Sequence, residues 1–514
     1  MIVEILGAKM LAPYVGTSHF VWTAQIAVTL VALSAGYYVG GKLVDRSQQL
    51  GRVYWAIVGA AAYLSLAVLI VEPVAYWCLD FRLALGSLMA SAFLFFLPLA
   101  LLAMVGPYFI RVLTSAVAGV GGHIGRLTAI STLGSFAGTI LIGYVLIPHL
   151  ANSTTMYLTS CVLMAVAAGY FFGWGQKKTS PAAVVVVIAA GLALGGEKVA
   201  SDRMISAVGS NATVQEVYRA NSNFGRLEVL NLSYSQSPQQ IRYYMNDLLV
   251  QNDYDPVAKK SIGAFTYMLH DLASAYHPGI HDVLCIGMGV GIVPMEFARE
   301  GANVDVVEIN PAVVPVAEKY FNFDPKLVHL TVDDGRHFLN RCRTNYDAII
   351  LDAFIGDSSP SHLLSRQAFA AMQRVLKPGG VLVMNTFGST NPGKDFFAAS
   401  VSKTLQAVFH QVRICGTDGT GVVNMFFTAS DQPDMTLGNF PNIEDVPVIN
   451  RCREEVAYAR SADWHTDPAD GIVLTDDYNP LEYYDAANRE ELRRNLAKST
   501  HELVTMNAKP TSNP

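Results

Sequence analysis

The first 200 residues of the sequence contain very little charge. They include ten basic and five acidic side chains, whereas the other 314 residues include 26 basic and 37 acidic ones. The C-terminal part therefore has too little basic surface to bind a phosphate backbone, and we predict no nucleic-acid partner. The near absence of charge in the N-terminal part argues against an ordinary soluble domain there.

Cysteine is also scarce, and its spacing is uninformative. No two cysteines form a CxxC pair, and no Cys/His cluster has the spacing of metal ligands, so we predict neither a metal site nor a required disulfide. Cys415 and Cys452 are the pair to examine if the C-terminal part proves to lie outside the cytoplasm. The six cysteines are Cys78, Cys161, Cys285, Cys342, Cys415 and Cys452.

Long apolar runs, by contrast, are abundant in the N-terminal part. Runs of roughly 20 apolar residues can cross a hydrocarbon core about 30 Å thick. Met1–Val15 and Pro181–Gly196 are shorter, so we predict six or seven segments forming an α-helical transmembrane bundle over residues 1–200. The chain is then an integral protein of a bacterial-type inner membrane that contacts membrane lipid. The five full-length runs are Phe20–Leu43, Val53–Leu79, Leu83–Met104, Arg126–Ile147 and Thr154–Trp174.

Basic residues between the apolar runs indicate the orientation of the bundle. They lie in alternate loops, as with Lys42, Arg46 and Arg52 after the second segment, and the positive-inside rule places these loops in the cytoplasm. If Pro181–Gly196 crosses the bilayer, the C-terminal part lies on the opposite side. If it lies along the interface or turns back, the C-terminal part is cytoplasmic. The chemistry described below uses a cytoplasmic metabolite, which favours the cytoplasmic location.

Short apolar strands alternate with helices from Asp282 onward. This pattern predicts a parallel sheet covered on both faces, with ligands at the carboxyl ends of the strands. We predict a Rossmann-like α/β domain over residues 281–487, preceded by a small β-region and lead-in helix over residues 201–280. Residues 488–514 are predicted to form a helical or disordered tail. The predicted strands are DVLCIG, NVDVVEIN, VHLTV, YDAIILDAF and VLVMNTF.

A glycine-rich turn follows the first of these strands. Gly287, Gly289 and Gly291 form GxGxG, whereas the dinucleotide fingerprint needs a glycine at position 292, where isoleucine stands. Glu308 ends the second strand, at the place where an acid hydrogen-bonds the ribose hydroxyls of a bound nucleotide. These residues alone leave both a nicotinamide dinucleotide and S-adenosylmethionine open.

Later motifs favour S-adenosylmethionine. Asp333, Asp334 and Gly335 directly follow the third strand, where a carboxylate can meet the adenine amino group. Asp352 ends the fourth strand and faces the same crevice, and LKPGG precedes the fifth strand. This order is similar to that of the S-adenosylmethionine-dependent transferases.

With these motifs the chain resembles the membrane-fused branch of the spermidine synthase family, in which transmembrane helices precede a spermidine-synthase-like domain. The resemblance implies a polyamine aminopropyltransferase that transfers a group from decarboxylated or intact S-adenosylmethionine to a putrescine-like amine and releases methylthioadenosine. Soluble relatives usually pair, so the resemblance also implies a homodimer. The segments that carry it are EILGAKMLAPYVGTSHFVWT, GYYVGGKLVDR, ISTLGSFAGT, SNFGRLEV, MNDLLVQ, FTYM and LTDDYNP.

Family chemistry assigns roles to the matching positions. Asp352 corresponds to the catalytic carboxylate, which orients the amine and helps to remove its proton. Glu308 would bind the ribose and Asp334 the adenine amino group, with Asp333 as the alternative ligand and Asp334 then capping a helix. Gln251 and Tyr267 correspond to positions that line the donor and acceptor pocket, and Tyr267 is predicted to be catalytic together with Asp352. Asp357 and Asp477 are the candidate acids of the acceptor pocket.

Three positions depart from the family pattern, and each removes a polar partner of a charged amine. Val290 stands where the glycine turn carries an acid, Gly225 replaces a glutamine, and Ile355 replaces the second acid of the DxxD motif. Two other functions therefore stay open. One is a methyltransferase on the same fold, and the other is a transporter whose soluble domain senses a nucleotide.

Overall fold

The chain forms two compact units in the computed structural model, which describes residues 1–16, 18–114, 120–174, 181–201, 206–208, 212–237, 239–354, 359–417, 421–441 and 450–505. The first unit comprises Met1–Arg203 with Asn221–Asn223, and the second comprises Met204–Ala220 with Phe224–Pro514. Each is described by itself.

The first unit is helical. Two π-helical turns, Ala92–Phe96 and Leu141–Leu146, interrupt its α-helices. Ser65 and Ser160 form a buried hydroxyl pair, 2.7 Å between oxygens, that links two of the helices. The helices are α1 (Ile2–Val15), α2 (His19–Arg46), α3 (Gly51–Cys78), α4 (Leu83–Ser91), α5 (Leu97–Ala103), α6 (Val105–Leu113), α7 (Val120–Ile140), α8 (Ile147–His149), α9 (Asn152–Gly173) and α10 (Pro181–Ser201).

Five helical segments among the described residues are long and apolar enough to cross a membrane, and each covers one of the predicted runs. Within α10 only a shorter apolar stretch, Val187–Gly196, is found. The spans are His19–Arg46, Gly51–Cys78, Leu83–Leu113, Val120–His149 and Asn152–Gly173.

The second unit begins with a six-stranded sheet whose strands follow one another in sequence order. Neighbouring strands run antiparallel, as in β3 with β4 and β4 with β5. Helix α11 (Ala264–Tyr276) then leads into the second sheet. The strands are β1 (Ser206–Val208), β2 (Ala212–Ser222), β3 (Gly225–Tyr234), β4 (Gln240–Asn246), β5 (Leu249–Asp255) and β6 (Lys260–Ser261).

The second sheet has seven strands in the order β12-β13-β11-β10-β7-β8-β9. The five predicted strands form its parallel part. Two more strands extend the sheet beyond β11, where β13 pairs antiparallel with β11 and β12 pairs antiparallel with β13. The predicted Rossmann-like α/β architecture is confirmed. The strands are β7 (Asp282–Ile286), β8 (Asn303–Glu308), β9 (His329–Val332), β10 (Tyr346–Leu351), β11 (Leu376–Gly388), β12 (Gln411–Gly416) and β13 (Val423–Ser430).

Helices cover both faces of this sheet, because its central strands are apolar on both sides. Every residue of β10 is buried. Along β7, Val283 and Cys285 belong to the core on one face, and Leu284 and Ile286 belong to the core on the other. The remaining helices are α12 (Ile292–Arg299), α13 (Val313–Tyr320), α14 (Gly335–Arg341), α15 (Arg366–Arg374), α16 (Phe396–Gln406), α17 (Asn450–Ser461), α18 (Leu481–Tyr484) and α19 (Ala486–Thr505).

Candidate active site

The strand order of the second sheet reverses between β7 and β10, and a cavity opens there at the carboxyl ends of the strands. Its empty volume is about 1200 Å³, including the solvent-open mouth. A crevice at this reversal is where open α/β sheets bind their ligands. Eight of the predicted site residues line the cavity: Gln251, Gly287, Gly289, Glu308, Asp333, Asp334, Gly335 and Asp352.

The glycine turn after β7 shapes the floor of this cavity. Gly287 has a φ of +90°, and a Cβ there would lie 2.2 Å from the carbonyl oxygen of Asp352. Gly291 has a φ of +82° and starts α12, and a Cβ there would lie 2.3 Å from the ring of Phe323. Side chains at these positions are therefore excluded, and the turn offers a ligand its backbone at close approach. Gly291 itself does not line the cavity.

Glu308 anchors the turn from the end of β8. One carboxylate oxygen accepts a hydrogen bond from the backbone N–H of Met288 at 3.0 Å, and the other accepts one from that of Asn310 at 2.7 Å. Burial raises the pKa of Glu308, and the backbone N–H groups oppose this shift. Because each oxygen keeps a second lone pair, the fixed carboxylate can still accept hydrogen bonds from two vicinal hydroxyl groups.

The two acids after β9 have different partners. Asp334 caps α14 by accepting a hydrogen bond from the backbone N–H of His337 at 3.0 Å, and its other oxygen lies 3.0 Å from Nε2 of His362. Asp333 lies 2.7 Å from Nδ1 of His337, and this hydrogen bond lowers the pKa of the Asp333 carboxyl group. The cap geometry agrees with the alternative prediction, in which Asp333 is the adenine ligand and Asp334 the helix cap.

Asp352 directly follows β10 and lines the cavity. Its Oδ1 accepts a hydrogen bond from Nδ2 of Asn385 at 2.9 Å. Burial raises the pKa of Asp352 to about 6, against the opposing effect of that hydrogen bond. A carboxylate with a pKa in this range is ionised at neutral pH and is a better proton acceptor than an ordinary aspartate.

Some predicted residues lie elsewhere. The hydroxyl group of Tyr267 donates a hydrogen bond to the carbonyl oxygen of Ser261 at 2.9 Å, and Tyr267 does not line the cavity. Its catalytic role stays a prediction. Asp477 is exposed and also lies off the cavity wall. Ile355 and Asp357 lie outside the described residues.

The two remaining departures from the family pattern have a structural basis. Val290 is 1% exposed and belongs to the hydrophobic core, so its side chain does not reach the cavity. Gly225 has a φ of +122°, and a Cβ there would lie 2.1 Å from the side-chain oxygen of Asn246. Asn246 itself lines the cavity.

The sequence interpretation missed several wall residues. Asn385 lies inside the predicted strand VLVMNTF, two residues before its end, so the strand-end rule that selected Asp352 did not select it. Leu496 lies on α19, which was predicted as part of a tail, and only the folded chain brings it to the cavity. The missed residues include Phe224, Phe265, Phe354, Asn385, Phe387, Asn424 and Leu496.

The charged side chains on the described cavity wall are predominantly acidic. The described lining residues include four carboxylates and one histidine, His362, but no lysine or arginine. Within the described parts of the chain, no group of three His, Cys, Asp or Glu side chains is placed to hold a metal ion. The cavity therefore suits a cationic ligand.

Comparison with known proteins relates this site to one family. Residues 263–417 match the model of the spermine/spermidine synthase domain. The polyamine aminopropyltransferase of Vibrio vulnificus is 33% identical over 172 residues, which are 32% of this chain and 57% of the relative. Putrescine N-methyltransferase 2 of Nicotiana attenuata is 34% identical over 126 residues, which are 23% of this chain and 34% of the relative. The chain thus spans less than two thirds of either relative.

Among solved structures, the spermidine synthase of Thermotoga maritima is 18% identical and aligns with 46% of this chain and 84% of its own, at a TM-score of 0.36. Because this TM-score is low, the proposed function depends on the sequence match and on the cavity itself.

Proposed function

Because residues 263–417 carry a spermine/spermidine synthase domain, we propose that the chain is a transferase that moves an alkyl group from an adenosyl sulfonium to an amine. The donor is decarboxylated S-adenosylmethionine, and the transferred group is aminopropyl. The single observation that supports this most strongly is the close approach of the Gly287 backbone to the Asp352 carbonyl group at the reversal of the sheet, since a half-buried carboxylate then lies beside a glycine turn suited to bind a nucleotide.

The donor half of the cavity has the groups that an adenosyl sulfonium needs. The turn at Gly287 and Gly289 leaves room for the ligand against the backbone, and the carboxylate of Glu308 is held in place to accept both ribose hydroxyls. Asp333 can accept a hydrogen bond from the adenine amino group. The absence of lysine and arginine from the described wall avoids repulsion of the sulfonium charge.

The reaction needs a neutral amine, and Asp352 supplies the means to obtain one. A free alkyl amine has a pKa of about 10.4, so it arrives protonated and without a lone pair. The Asp352 carboxylate can orient the nitrogen and accept its proton. The lone pair then attacks the carbon next to sulfur, the carbon–sulfur bond breaks, and its electron pair remains on sulfur as a neutral thioether. Asp352 then releases the proton it accepted to solvent, and the product leaves as a secondary ammonium ion.

Methyl transfer is the second candidate. It differs only in which carbon of the sulfonium is attacked, and a curated relative is named for N-methylation of putrescine. The burial of Val290 favours it, because no acid extends from the turn to pair with the ammonium group of an aminopropyl donor. The two candidates give different thioethers, methylthioadenosine and S-adenosylhomocysteine.

We further propose that the N-terminal helices anchor the enzyme in the inner membrane, with the second unit in the cytoplasm. Five apolar helical segments of spanning length support the anchoring. The cytoplasmic location is supported by the basic loop residues Lys42, Arg46 and Arg52 and by the cytoplasmic origin of the donor. Protease added to intact spheroplasts should leave the second unit uncut, whereas cleavage there would place it on the outside.

Product analysis tests the proposed reaction. The purified full chain in detergent is incubated with labelled S-adenosylmethionine or its decarboxylated form and a panel of amines. We expect methylthioadenosine from the decarboxylated donor, and loss of at least about 100-fold in rate in Asp352→Asn, the range that a general base contributes. S-adenosylhomocysteine from the intact donor would establish the second candidate. The absence of both thioethers with every amine would refute transfer.

A further inference from the structure

The acceptor side of the cavity differs in charge from the donor side. Three of the four lining carboxylates, Glu308, Asp333 and Asp334, follow β8 and β9, where they serve the nucleoside. Asp352 is the remaining carboxylate among the described lining residues. The polar side chains near it on the described wall, such as those of Asn385 and Asn424, are neutral amides. Within the described wall, a polycationic acceptor would therefore find one carboxylate on this side.

Where β10 ends beside β11, the two chain segments present a matched polar pair. Leu351 of β10 lies opposite Met384 of β11, so the next residues, Asp352 and Asn385, are also neighbours, and a 2.9 Å hydrogen bond joins them. Asn385 is 3% exposed, and its amide donates this bond while its side-chain oxygen has no partner among the described atoms. A buried amide oxygen without a partner costs free energy, so the site lacks one N–H donor.

Two residues further along the same two chain segments, Phe354 and Phe387 form a matched aromatic pair. The rings of Phe354 and Phe387 have centroids 5.4 Å apart and are inclined at 56°. Because a strand rises about 3.3 Å per residue, Phe387 lies about 6.6 Å beyond Asn385 along β11. The residue paired with Phe387 across the sheet is Asn424, an uncharged amide that also lines the cavity.

The polar pair and the aromatic pair form two successive layers of the cavity wall, and together they fit one kind of acceptor. We propose that the acceptor is a primary monoamine with an apolar body, whose nitrogen binds between Asp352 and the free oxygen of Asn385 and whose body lies against Phe354 and Phe387. This inference rests on the proposed function and specifies its substrate class. The amine donates one N–H to each partner, and the attack, the carbon–sulfur cleavage and the proton loss proceed as described above.

A diamine fits this arrangement poorly. Its second ammonium group would reach the layer of the phenylalanine rings, where the described wall offers no carboxylate. Removing an ammonium group from water without an ionic partner is costly. A methyl group in the same position is instead stabilised by contact with the rings.

An isosteric pair of amines tests the inference with the full chain in detergent. Pentylamine and putrescine have the same number of heavy atoms, and differ in a terminal methyl group against an ammonium group. We expect kcat/KM for pentylamine to exceed that for putrescine by at least about tenfold, the scale on which an unpaired buried charge discriminates. A higher kcat/KM for putrescine overturns the inference while leaving the proposed function standing. No thioether product with any amine would refute the proposed function itself.

Single substitutions test which side chains determine the preference between pentylamine and putrescine. Phe387→Glu should reverse the preference toward putrescine, and the matched Phe387→Leu should keep the preference for pentylamine. Asn385→Leu should raise KM for pentylamine by about tenfold, since one hydrogen bond to the nitrogen is lost. If Asp357→Asn selectively abolishes a putrescine reaction, the second ammonium group has a carboxylate partner and the inference is wrong.

Discussion

Replacing Asp352 by asparagine should stabilise the second unit at neutral pH while lowering the rate of its proposed reaction at least about 100-fold. Burial raises the pKa of this carboxyl group from the ordinary 3.8 to about 6. The charged form is therefore less favourable in the folded chain than in the unfolded chain. Asparagine has the same shape, and its side-chain oxygen can still accept the hydrogen bond from Asn385.

The magnitude follows from the pKa difference. A shift of about 2 units at about 1.4 kcal/mol each gives about 3 kcal/mol near pH 7.5. The sign follows from the raised pKa: the carboxyl group contributes its full stability below pH 3.8 and loses it as the pH rises toward about 6. The gain from Asp352→Asn should therefore shrink to about 1 kcal/mol near pH 4.5, where the folded carboxyl group is mostly protonated.

Thermal unfolding of the full chain in detergent measures this difference. At about 2 °C per kcal/mol for a unit of this size, the transition of the second unit should rise by about 6 °C near pH 7.5 and by about 2 °C near pH 4.5. Asp431→Asn, at a partly exposed carboxylate outside the cavity, is the control for a generic charge effect. An unchanged or lower midpoint near pH 7.5, or an equal rise at both pH values, would refute the reasoning.

Three further outcomes are expected. The rate of amine transfer should fall as the pH drops through about 6, because Asp352 is then protonated, and residual activity in Asp352→Asn should lack this inflection. Glu308→Gln should weaken methylthioadenosine binding at least about tenfold by calorimetry, since glutamine cannot accept from both loop N–H groups and the ribose, whereas the exposed Glu318→Gln should bind normally. Leu496→Ala should raise the acceptor KM about threefold or more in steady-state kinetics, because the cavity loses apolar wall.

The parallel sheet and its ligand edge could be predicted from the sequence because both depend on local patterns. The run YDAIIL is apolar enough to be buried on both faces, and every residue of β10 is buried. The residues that end such strands fall on one edge by topology, which is why Glu308 and Asp352 could be placed before the fold was known.

The acceptor wall could not be predicted in the same way, because its residues come together only through tertiary contacts. Leu496 reaches the cavity from α19, more than 100 residues after the last parallel strand, and nothing in its helical spacing distinguishes it from an ordinary buried leucine. Asn385 is a second example. It lies inside the predicted strand VLVMNTF, and the free side-chain oxygen that makes it a candidate ligand depends on the pairing of β11 with β10 and on the hydrogen bond to Asp352.

The two halves of the cavity therefore differ in how freely their residues can change. On the donor side, a Cβ at Gly287 would collide with the backbone of Asp352, and Glu308 holds two loop N–H groups, so substitutions there disturb the fold as well as the ligand. On the proposed acceptor side, residues such as Asn385, Phe387 and Leu496 contribute side chains from β11 and α19. Replacing such a side chain changes its contacts with the ligand and requires no change of the backbone. Selection on the acceptor can thus act without loss of the donor site. A match of residues 263–417 to the spermine/spermidine synthase domain is for this reason compatible with the proposed monoamine acceptor.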